Sequence, residues 1–278
     1  LEPWFAVLIL YCRQYVFYNA TNRNRPHIAE TLQHGGFAVS DGSISRKARC
    51  VEDMRQRILT QEYEPGGYLD EAELAETYGI SRPPLREVLN QLSGEGYLVL
   101  HKNRGAQVAP MTHKTMRNFF MAAPMIYAAI TRLAAQNATE AQIMRLKDTQ
   151  TLFRRAIRDG DTAERALMNQ RFHAIIGEMA DNEFLTPSLR RLLIDHTRIG
   201  MSFYNPRNQS LAAQRTIAAD QHDQFIALIE QGDADAAAQL ALDHWDLSRA
   251  EIETFATPAG MQIPLGRAPG DTGKKGTP

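Results

Sequence analysis

His173, His222 and His244 fall on apolar helical stripes, where an imidazole can either pack or ligate. His222 is central to a stripe formed by Phe225, Ile226 and Ile229, and His244 to one formed by Ala237, Leu240, Ala241 and Leu247, so both point inward. His173 follows Asn169 by four residues, which stacks the two side chains on one helix face, at the edge of the stripe Met168, Phe172, Ile176 and Met179. That spacing lets one helix supply two ligands to one ion, and imidazole nitrogen is a common donor to zinc, nickel and related divalent metals. A lone inward histidine is more often a hydrogen-bonded core residue than a ligand. Three of them on three helices, one with an Asn at helical spacing, leave a shared metal site and three core histidines as equal readings on pattern alone. His196, flanked on its helix by Leu189, Leu192, Leu193 and Ile199, reads as lining of an effector pocket, with core packing as its bland alternative. Arg198 and Arg190 can each meet a ligand carboxylate through two parallel hydrogen bonds, or simply face solvent. Asn182 reads as a helix cap.

A second set of polar residues is organised around residues 69–108. The spacing predicts a helix over 71–78 that stops at Gly79, then a second helix capped by Ser81 and running to about Gly94. On the second helix Leu85, Val88, Leu89 and Leu92 share one face while Arg82, Arg86 and Asn90 share another, so one side packs and the other can read. Two β-rich pieces, 97–101 and 106–109, follow as a hairpin with the basic tip Lys102-Asn103-Arg104-Gly105. Helix, turn, helix and hairpin together make a winged helix-turn-helix. Ser81, Arg82 and Arg86 would enter the major groove, Lys102 and Arg104 would hold the backbone, and Gly105 lets the wing turn.

The rest of the chain must position these groups. At 278 residues, 44% hydrophobic and 23% charged, it can form one or two domains with real cores. A net charge of -1 excludes a whole-protein basic field, so DNA binding must come from the local patch of Arg82, Arg86, Lys102 and Arg104. Residues 1–45 read as a poorly ordered or mis-started leader rather than a membrane anchor, because Arg13 and Gln14 part the apolar run 4–11 from 15–18 and leave it too short to span. A helix over 46–61 buries Val51, Met54 and Ile58 beneath the winged helix-turn-helix, which spans 46–111. From 112 to 256 strand signals vanish, and helices over 112–137, 139–158, 162–179, 182–204, 211–231 and 234–255 predict an all-α six-helix bundle with a central pocket. The tail 257–278, rich in Gly, Pro and Lys, reads as disordered. The fold class is therefore mainly α. Cys12 and Cys50 stand in no redox or metal spacing, which fits a reducing cytoplasm.

Two resemblances sharpen these readings. Pro65-Gly66-Gly67-Tyr68-Leu69, Leu74-Ala75, Ser81-Arg82-x-Pro84-Leu85-Arg86-Glu87-x-Leu89, Glu95-Gly96 and Arg104-Gly105-x-x-Val108 resemble the DNA-binding domain of GntR-type transcription regulators. Asn169-x-x-Phe172-His173, Asn182, His222-x-x-x-Ile226, Gly232-Asp233-x-x-x-Ala237 and His244 resemble the FCD effector-binding domain of the FadR subclass. The second resemblance implies a divalent metal held by Asn169, His173, His222 and His244, and a small organic acid held with its help. It also implies dimerisation through the helical domain. Where the family often carries Asp this chain has Asn169, and where it carries Arg and Glu before the run Arg132-Leu133-Ala134-Ala135 this chain has Pro124 and Tyr127.

The function expected is a repressor that binds a palindromic double-stranded operator as a homodimer and releases it when a small carboxylate binds near zinc or nickel. The two alternatives are a regulator that senses the metal itself and a metal-dependent hydrolase. Against the hydrolase, no Asp or Glu follows a His in a catalytic spacing, and Asp220 beside His222 is a weak base. The protein is expected to be neither an enzyme nor membrane-bound.

Overall fold

The structure, a computed structural model, describes residues 45–102, 104–203 and 210–256, with 202–203, 210–214 and 248–256 as backbone. The leader up to residue 44, the tail from 257, the break at 205–207 and Asn103 in the wing lie outside the described residues.

Helix α1 (Arg46–Leu59) starts where the Ser45 hydroxyl accepts from the Ala48 amide, and it buries Cys50, Val51, Met54, Ile58 and Leu59. Helix α2 (Glu71–Tyr78) opens on Asp70, whose carboxylate accepts from the amides of Ala72 and Glu73. It ends at Gly79, whose φ of 58° is left-handed backbone that a residue with Cβ would resist. Helix α3 (Arg82–Glu95) begins after Ser81, but the Ser81 side chain makes no cap hydrogen bond. Pro83 and Pro84 occupy the two positions whose amides a capping hydroxyl accepts from, and proline has no N–H, so the expected cap at Ser81 has no donor. Leu85, Val88, Leu89 and Leu92 of α3 are fully enclosed against α1 and α2, and burying each such side chain is worth roughly 1.5–3 kcal/mol.

The wing contains more than the expected hairpin. Strands β1 (Tyr68–Leu69), β2 (Leu98–His101) and β3 (Gly105–Val108) form an antiparallel sheet in the order β1-β3-β2. Two residues are too few to show the period of a strand, which is why β1 was not legible in the sequence. His101 pairs with Gly105, whose φ of 73° closes the three-residue loop between β2 and β3.

Six helices follow: α4 (His113–Asn137), α5 (Glu140–Asp159), α6 (Thr162–Met179), α7 (Leu185–Phe203), α8 (Ser210–Gln231) and α9 (Ala234–Ala256). Thr112 and Asp161 cap α4 and α6, Thr139 and Gln142 make a reciprocal capping box on α5, and Asn182 accepts from the Phe184 and Leu185 amides before α7. Helix α4 packs along α9, α6 and α7, and α5 along α6 and α8. Their shared core holds Ile130, Phe172, Ile175, Ile176, Leu189, Phe225 and Trp245. A Cβ on Gly177 would stand 2.6 Å from Leu189 Cδ2, so glycine is what allows α6 and α7 to close on each other.

Helix α7 also meets the winged domain. Ile194 belongs to the same apolar cluster as Leu92 and Val108. The Arg198 guanidinium donates to the Ala109 carbonyl and to Asp195, both at 2.6 Å, and Gln61 donates to the Arg198 carbonyl at 2.5 Å. Among the described residues, no helix is long and apolar enough to cross a membrane.

Candidate metal and effector centre

Helices α6, α8 and α9 bring His173, His222 and His244 together in the middle of the bundle. Each offers a ring nitrogen, and these three nitrogens lie within 4.8 Å of one another. Ring centroids are 5.2–5.5 Å apart, and the residues are 3%, 0% and 7% exposed, so bulk water does not serve them.

Hydrogen bonds fix which nitrogens face the centre. The Gln150 amide donates to the Ala219 carbonyl and to Asp223, both at 2.8 Å, which are groups that can only accept. Its carbonyl oxygen must therefore be the atom facing His222 Nδ1 at 3.1 Å, so His222 carries its proton on Nδ1 and its lone pair on Nε2. The Gln221 carbonyl oxygen meets His244 Nδ1 at 2.7 Å in the same sense. His173 Nε2 and His222 Nε2 are buried and have no partner among the described residues. A buried lone pair left unpaired costs about 1–3 kcal/mol. Two such atoms in one cluster, with the His222 and His244 rings held from behind by glutamine carbonyl oxygens, fit a divalent metal ligated by imidazole.

The electrostatics agree. Burial, reinforced by the neighbouring imidazoles, holds His173 and His222 well below the ordinary histidine range. Burial with His196 beside it takes His244 down to about 3, and burial takes His196 to about 4. All four are neutral at pH 7, the form that ligates a metal. Phe172 stacks flat on His222 at 4.0 Å and Phe153 leans on it at 4.8 Å, which fixes the ring plane.

A cavity adjoins the cluster, lined by Asn169, His196, Thr197 and His244 together with Arg165 and Arg215. Asn169, four residues before His173 on α6, lies at the cavity. His196 also lines the cavity. Arg198 and Arg190 do not. Arg198 is enclosed at the junction with the winged domain, bonded to Asp195 and Ala109, and Arg190 is exposed beside Glu95 of α3. The helical period carries both away from the cavity face that His196 and Gly200 occupy, and this corrects their assignment to the effector.

Sequence reasoning missed Gln150, Gln221, Arg165, Arg215 and the partner of His196, Tyr127, whose hydroxyl lies 2.7 Å from its Nδ1. A signal for Gln150 existed: it stands on the stripe of Leu146 and Phe153, where an amide has no reason to be unless something inside needs it. Gln221 gave none, since adjacency to His222 says little about which helix it faces. Asp220, weighed as a base, is exposed and paired with Arg154 at 2.7 Å.

On the other domain, Ser81, Arg82, Arg86, Lys102 and Arg104 are all exposed, with Gly105 half-buried at the wing turn. Arg86 rests 3.4 Å from Glu71, a loose surface pair that DNA can displace.

The chain matches two family models end to end along this architecture: bacterial regulatory proteins of the gntR family over residues 46–108, and the FCD domain over 122–247. The chain belongs to the GntR family. GntR relatives similar to it include the HTH-type transcriptional regulator YdhC of Bacillus subtilis, 22% identical over 69% of this chain and 84% of that one. The HTH-type transcriptional repressor RspR of Escherichia coli is 24% identical over 69% and 82%. The solved structure of E. coli McbR/YncC superposes with a TM-score of 0.63 at 17% identity, covering 76% of this chain and 97% of that one, so the two share a fold. These GntR relatives are transcriptional regulators and not enzymes, and the chain is a DNA-binding regulator of that family carrying an FCD domain.

Proposed function

We propose that the protein is a ligand-responsive repressor whose operator affinity changes when a small carboxylate binds beside a divalent metal, zinc or nickel, in the helical domain. The observation that carries this reading is the pair of buried, unpartnered Nε2 atoms of His173 and His222 in a three-imidazole cluster. Asn169, His173, His222 and His244 would hold the metal. When bound, it supplies a Lewis-acid position for an anionic oxygen. The imidazoles of His196 and His244 and the guanidinium groups of Arg165 and Arg215 line the cavity, and cationic groups there favour an anion. A neutral Asn169 in place of a carboxylate leaves the centre more cationic, which favours an anionic ligand further.

Helix α7 supports the coupling. His196, Thr197 and Gly200 line the cavity, while Ile194, Asp195 and Arg198 on its other side hold the winged domain. A ligand that prefers one placement of α7 therefore biases the placement of the DNA-binding domain, which is the differential affinity that allostery requires. One recognition helix reads one half-site, so the working unit is a homodimer on a palindrome.

The test is fluorescence anisotropy on a duplex selected from random sequence with the purified protein. Zinc-loaded protein should bind tightly and release on addition of a carboxylate from a screened set. Release or tightening driven by zinc or nickel alone, with no response to any carboxylate, would establish the metal-sensing alternative instead.

A further inference from the structure

His196 is a fourth imidazole beside the cluster, 5.5 Å from the His173 ring, yet its surroundings differ from those of the other three. Its Nδ1 faces the Tyr127 hydroxyl at 2.7 Å, not a glutamine carbonyl. A hydroxyl can donate or accept, so the direction must be argued. Tyr127 is 5% exposed and ringed by His173, His196 and Trp245. Among the described residues, His196 is the one hydrogen-bond partner of its hydroxyl. Were Tyr127 to accept from Nδ1–H, its own O–H would be buried with no acceptor, at a cost of about 1–3 kcal/mol. The phenol also stays protonated, because burial raises its pKa. Tyr127 therefore donates, His196 accepts at Nδ1, and the imidazole proton sits on Nε2.

That tautomer is opposite to the one Gln150 and Gln221 impose on His222 and His244. Those two present lone pairs; His196 presents an N–H. We propose that His196 is a hydrogen-bond donor to the ligand and not a fourth metal ligand, that Tyr127 is its positioning residue, and that the cavity selects an oxyanion reaching from the three-imidazole centre to His196 Nε2–H. This rests on the carboxylate-effector reading above and adds the residues that determine specificity. A neutral metal-binding ligand lacking a second acceptor oxygen would leave the His196 proton unpaired and is discriminated against. The indole N–H of Trp245, whose ring lies 5.8 Å from His196, is buried with no partner among the described residues and adds a second donor at this corner of the bundle.

Nitrogen NMR on full-length protein carrying 15N-histidine tests the pair before any ligand is added. In metal-free protein His196 should show a protonated Nε2 and an unprotonated Nδ1, and the reverse tautomer overturns the proposal. Acetate is then titrated into zinc-loaded protein. It should shift the His196 Nε2–H signal, and its half-saturation should rise about tenfold in Tyr127→Phe and in His196→Ala, with zinc content unchanged. His196→Gln, which restores an N–H at similar reach, should recover most of the loss. Equal acetate affinity in wild type, Tyr127→Phe and His196→Ala overturns the proposal while leaving the metal reading intact. Wild type that binds neither zinc nor acetate defeats the effector reading itself, and this proposal with it.

Discussion

Replacing Gln150 with leucine isolates the group that sets the His222 tautomer. Gln150 is 4% exposed and touches His222 Nδ1, the Ala219 carbonyl and Asp223, so a leucine of similar volume fills the space while deleting every one of those bonds. Removing a carbonyl partner behind a metal-ligating histidine typically weakens metal affinity by about 10- to 100-fold, or roughly 1.4–2.7 kcal/mol. The His222 N–H is also left buried and unpaired, and the Ala219 carbonyl keeps only its hydrogen bond within the helix, so folding stability should fall by about 2 kcal/mol independently of metal. Gln150→Glu separates the two effects. It keeps an acceptor for His222 and loses the donors to Ala219 and Asp223, so it should be destabilised yet retain zinc affinity. The assay is competition with a chromophoric chelator at pH 7.5, beside thermal melts of the metal-free proteins. A Gln150→Leu protein whose zinc affinity stays within about twofold of wild type would refute the reasoning, because the glutamine would then be an ordinary core amide.

Asp195→Asn at the junction leaves the fully enclosed Arg198 guanidinium without its carboxylate, and should cost about 3 kcal/mol in denaturant melts; the double change Asp195→Leu with Arg198→Met should recover most of it. Arg86→Ala should weaken binding to the selected operator by about 1–3 kcal/mol without altering the melt, whereas Lys102→Ala should weaken all duplexes alike and lower the salt slope by about one. Acid should destabilise the metal-free bundle. The buried histidines hold their folded pKa below the unfolded value near 6.5, so the unfolded chain takes up protons first as pH falls. Their stabilising contribution is complete above about pH 6.5 and is lost as pH falls toward the folded values of about 4 for His196 and about 3 for His244, read as a fall in melting temperature across that window.

The helical order of the described residues was legible because its breaks carry their own chemistry. Gly79, Thr139 with Gln142, Asp161 and Asn182 all act at the ends where local sequence places them. The inward direction of His222 and His244 followed from periodicity alone, since 3.6 residues per turn fixes which side chains share a stripe. What periodicity does not supply is the identity of the neighbour across the gap. Arg198 sits two residues after His196 and was assigned to the same ligand, yet a helical step of two turns it toward Ala109 and the winged domain. Tyr127 and His196 are 69 positions apart, and only the packing of α4 on α7 makes them partners. Short β1 was hidden for a different reason: its pairing with β3, not its own residues, makes it a strand.

The claim on which the account turns is that the three buried histidines hold a metal. Elemental analysis by inductively coupled plasma mass spectrometry, on protein purified without chelator and beside His173→Ala, addresses it directly. About one zinc or nickel per chain in the wild type, lost in the variant while the fold persists, is the predicted result. Protein without metal that also takes up none on dialysis against zinc would contradict it, and would make His173 and His222 core residues with unpaired nitrogens.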